Sequence, residues 1–385
     1  MKSRVRLGKL RDEMKRVLLV ASVQSHIAQF HRPLIKVLRE SGYEIHVAAR
    51  NNLGEKNGLA IHGVDRIYDL PFQRNPLDPR NIKAYIELRK LLRSVSYDFI
   101  SCNTPAAGVS ARLAARDVRK QGTKVYYTAH GFHFYKGAPK INWLLYYPIE
   151  RVMAHFTDTL ITITKEDYRL AKPNFRTNVA HIHGVGADAG KFLSVSPEDN
   201  RNFRHEQGYD ERFVILCVGE LNRNKNQRTV IDAVKKVSEI HPEVLLLLAG
   251  NGPTDDELRE QIASLNMKDH AGMLGYCTDL EKYTNACDIL VSASFREGMP
   301  LNIMEAMMCG KPVAASLNRG HRELVRQGRT GFLFRADDAD ALAGLIERLI
   351  NDSALRRQLG EFGRRAVEPY LNRNVEKELK SIYNI

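Results

Sequence analysis

Two acidic side chains eight positions apart, Glu297 and Glu305, have the types and spacing to do chemistry in the stretch Ser294-Phe-Arg-Glu-Gly-Met-Pro-Leu-Asn-Ile-Met-Glu-Ala-Met-Met-Cys-Gly-Lys-Pro. Pro300 suits a first helical turn and Gly310 a stop, so a helix is expected from about Pro300 to Cys309. Leu301, Ile303, Met304, Ala306, Met307 and Met308 make that helix apolar on nearly every face, the mark of a buried helix, and Glu305 breaks the pattern. A carboxylate there is costly unless hydrogen-bonded, and the hydroxyls of a bound ribose would serve it as well as a protein donor. Glu297 precedes the helix, where free amides and the positive dipole end attract an anion such as a diphosphate. On the helix pattern alone a second reading stays open, in which Glu305 pairs with a basic side chain and Glu297 is a solvated loop residue.

Short β-rich runs alternate with longer helical patterns along the whole chain, the rhythm of βαβ units. The runs begin at Arg16, Glu44, Tyr97, Lys124, Thr159 and Asn178, with a helix near Gln29 to Ser41, and start again at Phe213, Val244, Met273, Asp288 and Lys311. Continuous apolar runs of this kind fit parallel strands covered on both faces. The expected fold class is α/β, with two doubly wound Rossmann-like domains facing across a cleft. The boundaries expected are 1–190 for the first domain, 191–370 for the second and 371–385 for a terminal helix. Such sheets place ligands beyond the carboxyl ends of their strands, so the loops after the strands matter most.

The 385-residue length supports two cores, and 43% hydrophobic with 27% charged residues is ordinary for globular chains. No segment reaches the roughly 18 apolar residues that span a bilayer, and the apolar run after the basic start is too short for a signal-peptide core. Cys102, Cys217, Cys277, Cys287 and Cys309 lie far apart without zinc-ligand spacing, so reduced thiols in a cytoplasm and no metal are expected. Residues 1–190 hold 31 Lys and Arg against 16 Asp and Glu, a balance of +15, whereas 191–385 hold 27 against 29, a balance of −2. The one-sided excess suggests an anionic partner for the first half.

Glu297 through Glu305, followed by Gly-Lys-Pro-Val, resembles the Glu-x7-Glu motif of the family-4 retaining glycosyltransferases, which have the GT-B fold. The resemblance implies that Glu297 lies against the donor sugar, that Glu305 binds the nucleotide ribose, and that Gly298, Met299, Pro300 and Leu301 offer backbone to sugar and phosphate. Val218-Gly-Glu-Leu-Asn-Arg-Asn-Lys-Asn is similar to the family's diphosphate-gripping loop, with Lys225 at its lysine and Asn222 within it. Glu220 stands at the usual arginine position, which leaves Arg223 to reach back in its place. Ala249-Gly-Asn-Gly-Pro resembles a family turn whose glycines, Gly250 among them, let backbone approach the nucleotide or a neighbouring loop. Tyr276 and Cys277 fall where the family reads the base. Without the family, Lys225 and Arg223 read as solvated surface and Tyr276 as packing.

In the first half, Tyr127-Thr-Ala-His-Gly-Phe-His-Phe-Tyr-Lys-Gly puts His130 where the family carries a histidine facing the donor sugar, with His133 close by. A lone histidine at a strand end is otherwise a structural residue. Ser25 and His26 lie in the first βα loop, where they are candidates for acceptor or phosphate contact, and His183 replaces the asparagine of a family Asn-Gly-Val-Asp segment. The likeness spans nearly the whole chain, to a terminal helix from Asn372 to Ile385 that the resemblance implies crosses back to the first domain, and its wording is similar to capsule and exopolysaccharide enzymes in particular. It implies transfer of a hexose or N-acetylhexosamine from a UDP-sugar, without cofactor or metal, to a lipid-linked saccharide. Rival readings are a sugar-nucleotide epimerase of the same fold, a catalytically inactive partner subunit, and a nucleic-acid-binding protein; the last has no recognisable module behind it, so no nucleic-acid partner is expected.

The segment Ala138 to Phe156, with Lys136 and Lys140 near its start and then Trp143, Leu144, Leu145, Tyr146 and Tyr147, reads two ways. It is either an interfacial helix or a crossover helix whose Leu145, Ile149, Val152 and Phe156 face the core. Together with the basic run Lys2, Arg4, Arg6, Lys9, Arg11, Lys15 and Arg16, the first form implies an anionic membrane surface. The expected location is cytoplasmic, peripheral on the inner face of the cytoplasmic membrane.

Overall fold

The structure is a computed structural model that describes residues 15–55 and 59–385, so the basic run from Lys2 to Arg11 lies outside the described residues. The chain divides into two compact units, Met1–Gly186 with Val375–Ile385, and Ala187–Asn374. The change between units therefore falls at Gly186/Ala187, and the terminal helix Asn372–Tyr383 begins in the second unit and is carried mainly by the first.

The first unit holds a parallel seven-stranded sheet in the order β3-β2-β1-β4-β5-β6-β7. Its strands are β1 Arg16–Val23, β2 Glu44–Arg50, β3 Arg66–Asp69, β4 Phe99–Asn103, β5 Lys124–Ala129, β6 Thr159–Thr162 and β7 Asn178–His181. Seven of the eight residues of β1 are buried, as expected of a central parallel strand covered on both faces. The single helix expected near Gln29 to Ser41 is two, Gln24–Phe30 and Arg32–Glu40, broken at His31. Pro33 causes the break: it lacks an amide donor and fits only a first turn, so a new helix starts there.

The helix Lys140–Met153 corrects the crossover reading. Leu145, Ile149 and Val152 are not core residues; with Ile141 and Leu144 they form an exposed apolar stripe, Leu144 at 71% exposure. The inward face is taken by Trp143, Tyr146 and Tyr147, packed against the core, and by Glu150, which receives Arg112 Nη1 at 2.8 Å and Nη2 at 3.2 Å. The Arg112 guanidinium lies 3.9 Å from the Tyr127 ring centre, and Tyr127 donates to Glu150 at 3.2 Å. A buried carboxylate that is fully paired cannot rotate outward without losing several kcal/mol, so this cluster fixes which stripe faces out. The terminal helix closes the unit: Tyr383 stacks 4.4 Å from Tyr126 and meets Ser101 at 2.9 Å, and Glu378 accepts from the His183 amide at 2.9 Å.

The second unit holds a parallel six-stranded sheet in the order β10-β9-β8-β11-β12-β13. Its strands are β8 Phe213–Val218, β9 Val244–Ala249, β10 Ala271–Gly275, β11 Ile289–Ser292, β12 Val313–Ser316 and β13 Phe332–Phe334. A core of Ile215, Val230, Val234, Leu246, Val291 and Leu342, none of them solvent-exposed, sits between this sheet and its helices. Among the described residues no helix is long and apolar enough to cross a membrane.

Candidate active site

In each sheet the strand order reverses once, between β1 and β4 and between β8 and β11, and the loops leaving those pairs lie at the carboxyl ends, where sheets of this kind hold their ligands. In the second unit the two loops are residues 219–226 and 293–300. Asn224 joins them: its carbonyl accepts from the Phe295 amide at 2.8 Å and its side chain donates to the Arg296 carbonyl at 3.0 Å. Lys225 Nζ donates to Glu297 Oε1 at 2.6 Å. Asn222 fixes the turn, accepting from the Lys225 amide at 2.9 Å and donating to Glu220 at 3.0 Å. Asn302, just inside the helix Leu301–Met308, donates to the Val218 carbonyl at 2.9 Å and so pins the helix start to the end of β8.

The Gly250 turn serves the neighbouring loop. A Cβ on Gly250, whose φ is +148°, would fall 2.0 Å from the Gly219 carbonyl oxygen, and one on Gly252 2.1 Å from that of Leu221. Gly219 N–H in turn donates to the Ala249 carbonyl at 2.9 Å. Arg223 does not join Lys225: its side chain is 90% exposed and reaches Glu257 only at 4.0 Å. Gly298 and Leu301 are half-buried at the helix start with Met299 and Pro300 buried between them, and Tyr276 and Cys277 are half-buried beyond β10.

The two carboxylates divide in a way that reverses the solvated-loop reading. Burial works to raise the Glu297 pKa, but the Lys225 ammonium and its hydrogen bond outweigh it and hold the carboxyl below its usual range. The Glu305 carboxylate receives no hydrogen bond or ion pair from any described residue; only its main-chain carbonyl is used, by the Cys309 amide at 3.1 Å. Burial raises its pKa to about 7, with Asp188 and Glu281 adding to the effect and Lys191 opposing it. One element thus carries an ionised, clamped carboxylate and a second that lacks a protein partner.

Three further residues belong to this constellation and escaped the sequence reading. Arg319 is buried at 5% exposure, with its Nε 3.4 Å from the Glu297 carbonyl. Gly320 follows because a Cβ there would meet the Gly298 carbonyl at 2.5 Å. His321 is fully buried, accepted by the Ser316 carbonyl at 2.7 Å from Nδ1 and 3.2 Å from the Ser292 hydroxyl at Nε2. Burial pushes its pKa down to about 4, so it is neutral. Nothing in the wording Ser316-Leu-Asn-Arg-Gly-His marks them, since they act through the third dimension.

In the first unit Ser25 is tied to Asn52, its amide donating to Oδ1 at 3.0 Å and its hydroxyl accepting from Nδ2 at 2.9 Å. His26 and His130 come together, with ring centres 4.5 Å apart, and His31 completes the group at 5.3 Å from each. Burial lowers the pKa of all three, and that of His130 to about 4. His133 turns away and stacks on Tyr146 at 4.6 Å.

Two doubly wound parallel α/β units, each with loops gathered at a switch point, form the GT-B class of fold. Residues 16–164 match the family described as glycosyl transferase 4-like, and residues 198–366 match the glycosyl transferases group 1. The chain belongs to this glycosyltransferase family and is a glycosyltransferase. It is 39% identical over 375 residues to the putative glycosyltransferase EpsD of Bacillus subtilis, covering 96% of each chain. It is 30% identical over 285 residues, 72% of each chain, to the UDP-Gal:alpha-D-GlcNAc-diphosphoundecaprenol alpha-1,3-galactosyltransferase of Escherichia coli. HepE of Anabaena, solved with UDP and glucose, superposes with a TM-score of 0.78 at 22% identity over 96% of this chain and 99% of its own, a likeness of fold. Membership in the family decides against the epimerase reading.

Proposed function

We propose that the enzyme moves a hexose or N-acetylhexosamine from a UDP-sugar to a polyprenyl-diphosphate-linked saccharide in bacterial surface-polysaccharide synthesis, with retention of anomeric configuration. The observation that carries the reading is the unpartnered, half-buried Glu305 beside the clamped Lys225–Glu297 pair. A ribose supplies two hydroxyl donors, the partners a buried carboxylate lacks, and a diphosphate suits Lys225 together with the free amides at the helix start. The bond from the anomeric carbon to the donor phosphate breaks while the acceptor oxygen bonds to the same face of the sugar. The acceptor proton passes to the departing phosphate oxygen. Glu297, ionised, orients sugar hydroxyls, and Lys225 meets the charge developing on the diphosphate, so no metal is assigned to this chemistry. The Escherichia coli relative's name, which pairs a UDP-sugar with a diphosphoundecaprenol acceptor, supports the donor and acceptor classes.

The exposed stripe of Ile141, Leu144, Leu145, Ile149 and Val152, bordered by exposed Lys136, Lys140 and Arg151, supports a peripheral position on an anionic inner leaflet. Incubation with a panel of UDP-sugars and bacterial membrane lipid extract tests the function. One labelled sugar should appear in the lipid fraction with its original anomeric configuration; inverted product, or transfer from a non-UDP donor alone, overturns the assignment.

A further inference from the structure

The clustering of His26, His31 and His130 follows from the break at Pro33. His26 lies on one short helix and His31 at the junction to the next, so residues five apart reach one point instead of lying 140° around a continuous helix. His130 arrives from the end of β5. Each ring offers a nitrogen, and the three nitrogens lie within 4.8 Å of one another. The Nε2 atoms of all three are buried and without a hydrogen-bond partner. One such orphan costs roughly 1–3 kcal/mol, a cost that a shared ligand would relieve.

We infer that His26, His31 and His130 form a binding site for a divalent transition metal ion of the zinc type. A tetrahedral ion with bonds of about 2.05 Å holds its nitrogen ligands about 3.3 Å apart, so closure asks each ring to move by no more than about 1 Å. The donor set is imidazole only, which suits Zn²⁺ and Co²⁺ and not the oxygen-seeking Mg²⁺ or Ca²⁺. A cavity of about 20 Å³ adjoins His31 and His130, enough for one water in a fourth position. His130 is shared with the functional reading above, and metal binding is read without transfer, so the two can fail separately.

The full chain, stripped with chelator, is titrated with Co²⁺ and with Zn²⁺ in competition. One equivalent should bind with the intense visible bands of four- or five-coordinate Co²⁺ and raise the melting temperature, since a ligand that binds only the folded state stabilises it. His31→Gln and His26→Gln should each weaken binding by about 100-fold or more, and His62→Ala, at an exposed histidine, should leave it unchanged. Circular dichroism confirms that a variant is folded, and the two ligand variants stand in for one another should one fail. Absence of stoichiometric binding, or binding retained in a folded His31→Gln or His26→Gln protein, overturns the inference.

Discussion

Replacing Glu305 by Gln separates stability from ligand binding. The carboxyl is displaced from its ordinary value of 4.5 to about 7, so the folded protein holds a proton that the unfolded chain has released. Stability therefore falls as pH rises between about 4.5 and 7, because the native state binds the extra proton in that window. That displacement corresponds to about 3 kcal/mol in full, and half-burial screens it to about 1–3 kcal/mol. Glutamine has the same shape and no charge. Urea denaturation should show the variant gaining on the parent between pH 5 and pH 8 by about 1–2.5 kcal/mol. Ribose hydroxyls prefer the ionised carboxylate, so the parent should bind UDP more tightly as pH rises to 7, whereas the variant binds about tenfold or more weakly with a flat profile. Equal stability gaps at pH 5 and pH 8, together with unchanged UDP affinity, would refute the argument.

Lys225→Ala strands the Glu297 carboxylate and should lower stability by about 2–4 kcal/mol and transfer by at least about 100-fold. Adding Glu297→Gln should return most of the stability and none of the activity, measured by melting and by turnover. Gly250→Ala puts a Cβ 2.0 Å from the Gly219 carbonyl at a φ of +148°, and should cost about 3 kcal/mol or more and loosen UDP binding through the adjoining loop. Ile141→Asp with Leu144→Asp, both exposed, should change stability by less than about 1 kcal/mol. The pair should abolish sedimentation with anionic vesicles, and retained sedimentation rules out that face as the membrane contact.

The central strands and the helix after Pro300 were legible because burial on both faces writes unbroken apolar runs, and because Pro300 and Gly310 punctuate that helix. The edge strands Arg66–Asp69 and Phe332–Phe334 left no such trace, being short and in the first case mostly exposed. The helix Lys140–Met153 shows a different limit. Its apolar residues recur at helical spacing, and periodicity reports a stripe without saying which way it faces. The direction is set by Arg112, 38 residues before Glu150, a pairing no local pattern announces. His31, Arg319 and His321 were missed for the same reason, since each is placed by a break between helices or by a contact with a distant loop.

Glu297 and Glu305 show how one sequence spacing yields opposite protonation behaviour. Both are withdrawn from water, and burial alone would raise the pKa of each. The difference comes from the loop after β8, which delivers Lys225 to Glu297 and nothing to Glu305. The pair Lys225–Glu297 is therefore settled before any ligand arrives, whereas the Glu305 carboxylate is a cost the folded protein carries until a hydroxyl donor relieves it. A binding site whose acceptor is strained in the free state gains affinity from that relief, provided the ligand brings hydroxyls to the same point. On the proposed function the arrangement would discriminate by chemistry as well as by shape, since a nucleotide lacking ribose hydroxyls would leave Glu305 unsatisfied. 2′,3′-Dideoxy-UDP should accordingly bind about 10- to 100-fold more weakly than UDP, with the deficit shrinking in Glu305→Gln, and equal affinities in the parent would remove Glu305 from the ribose site.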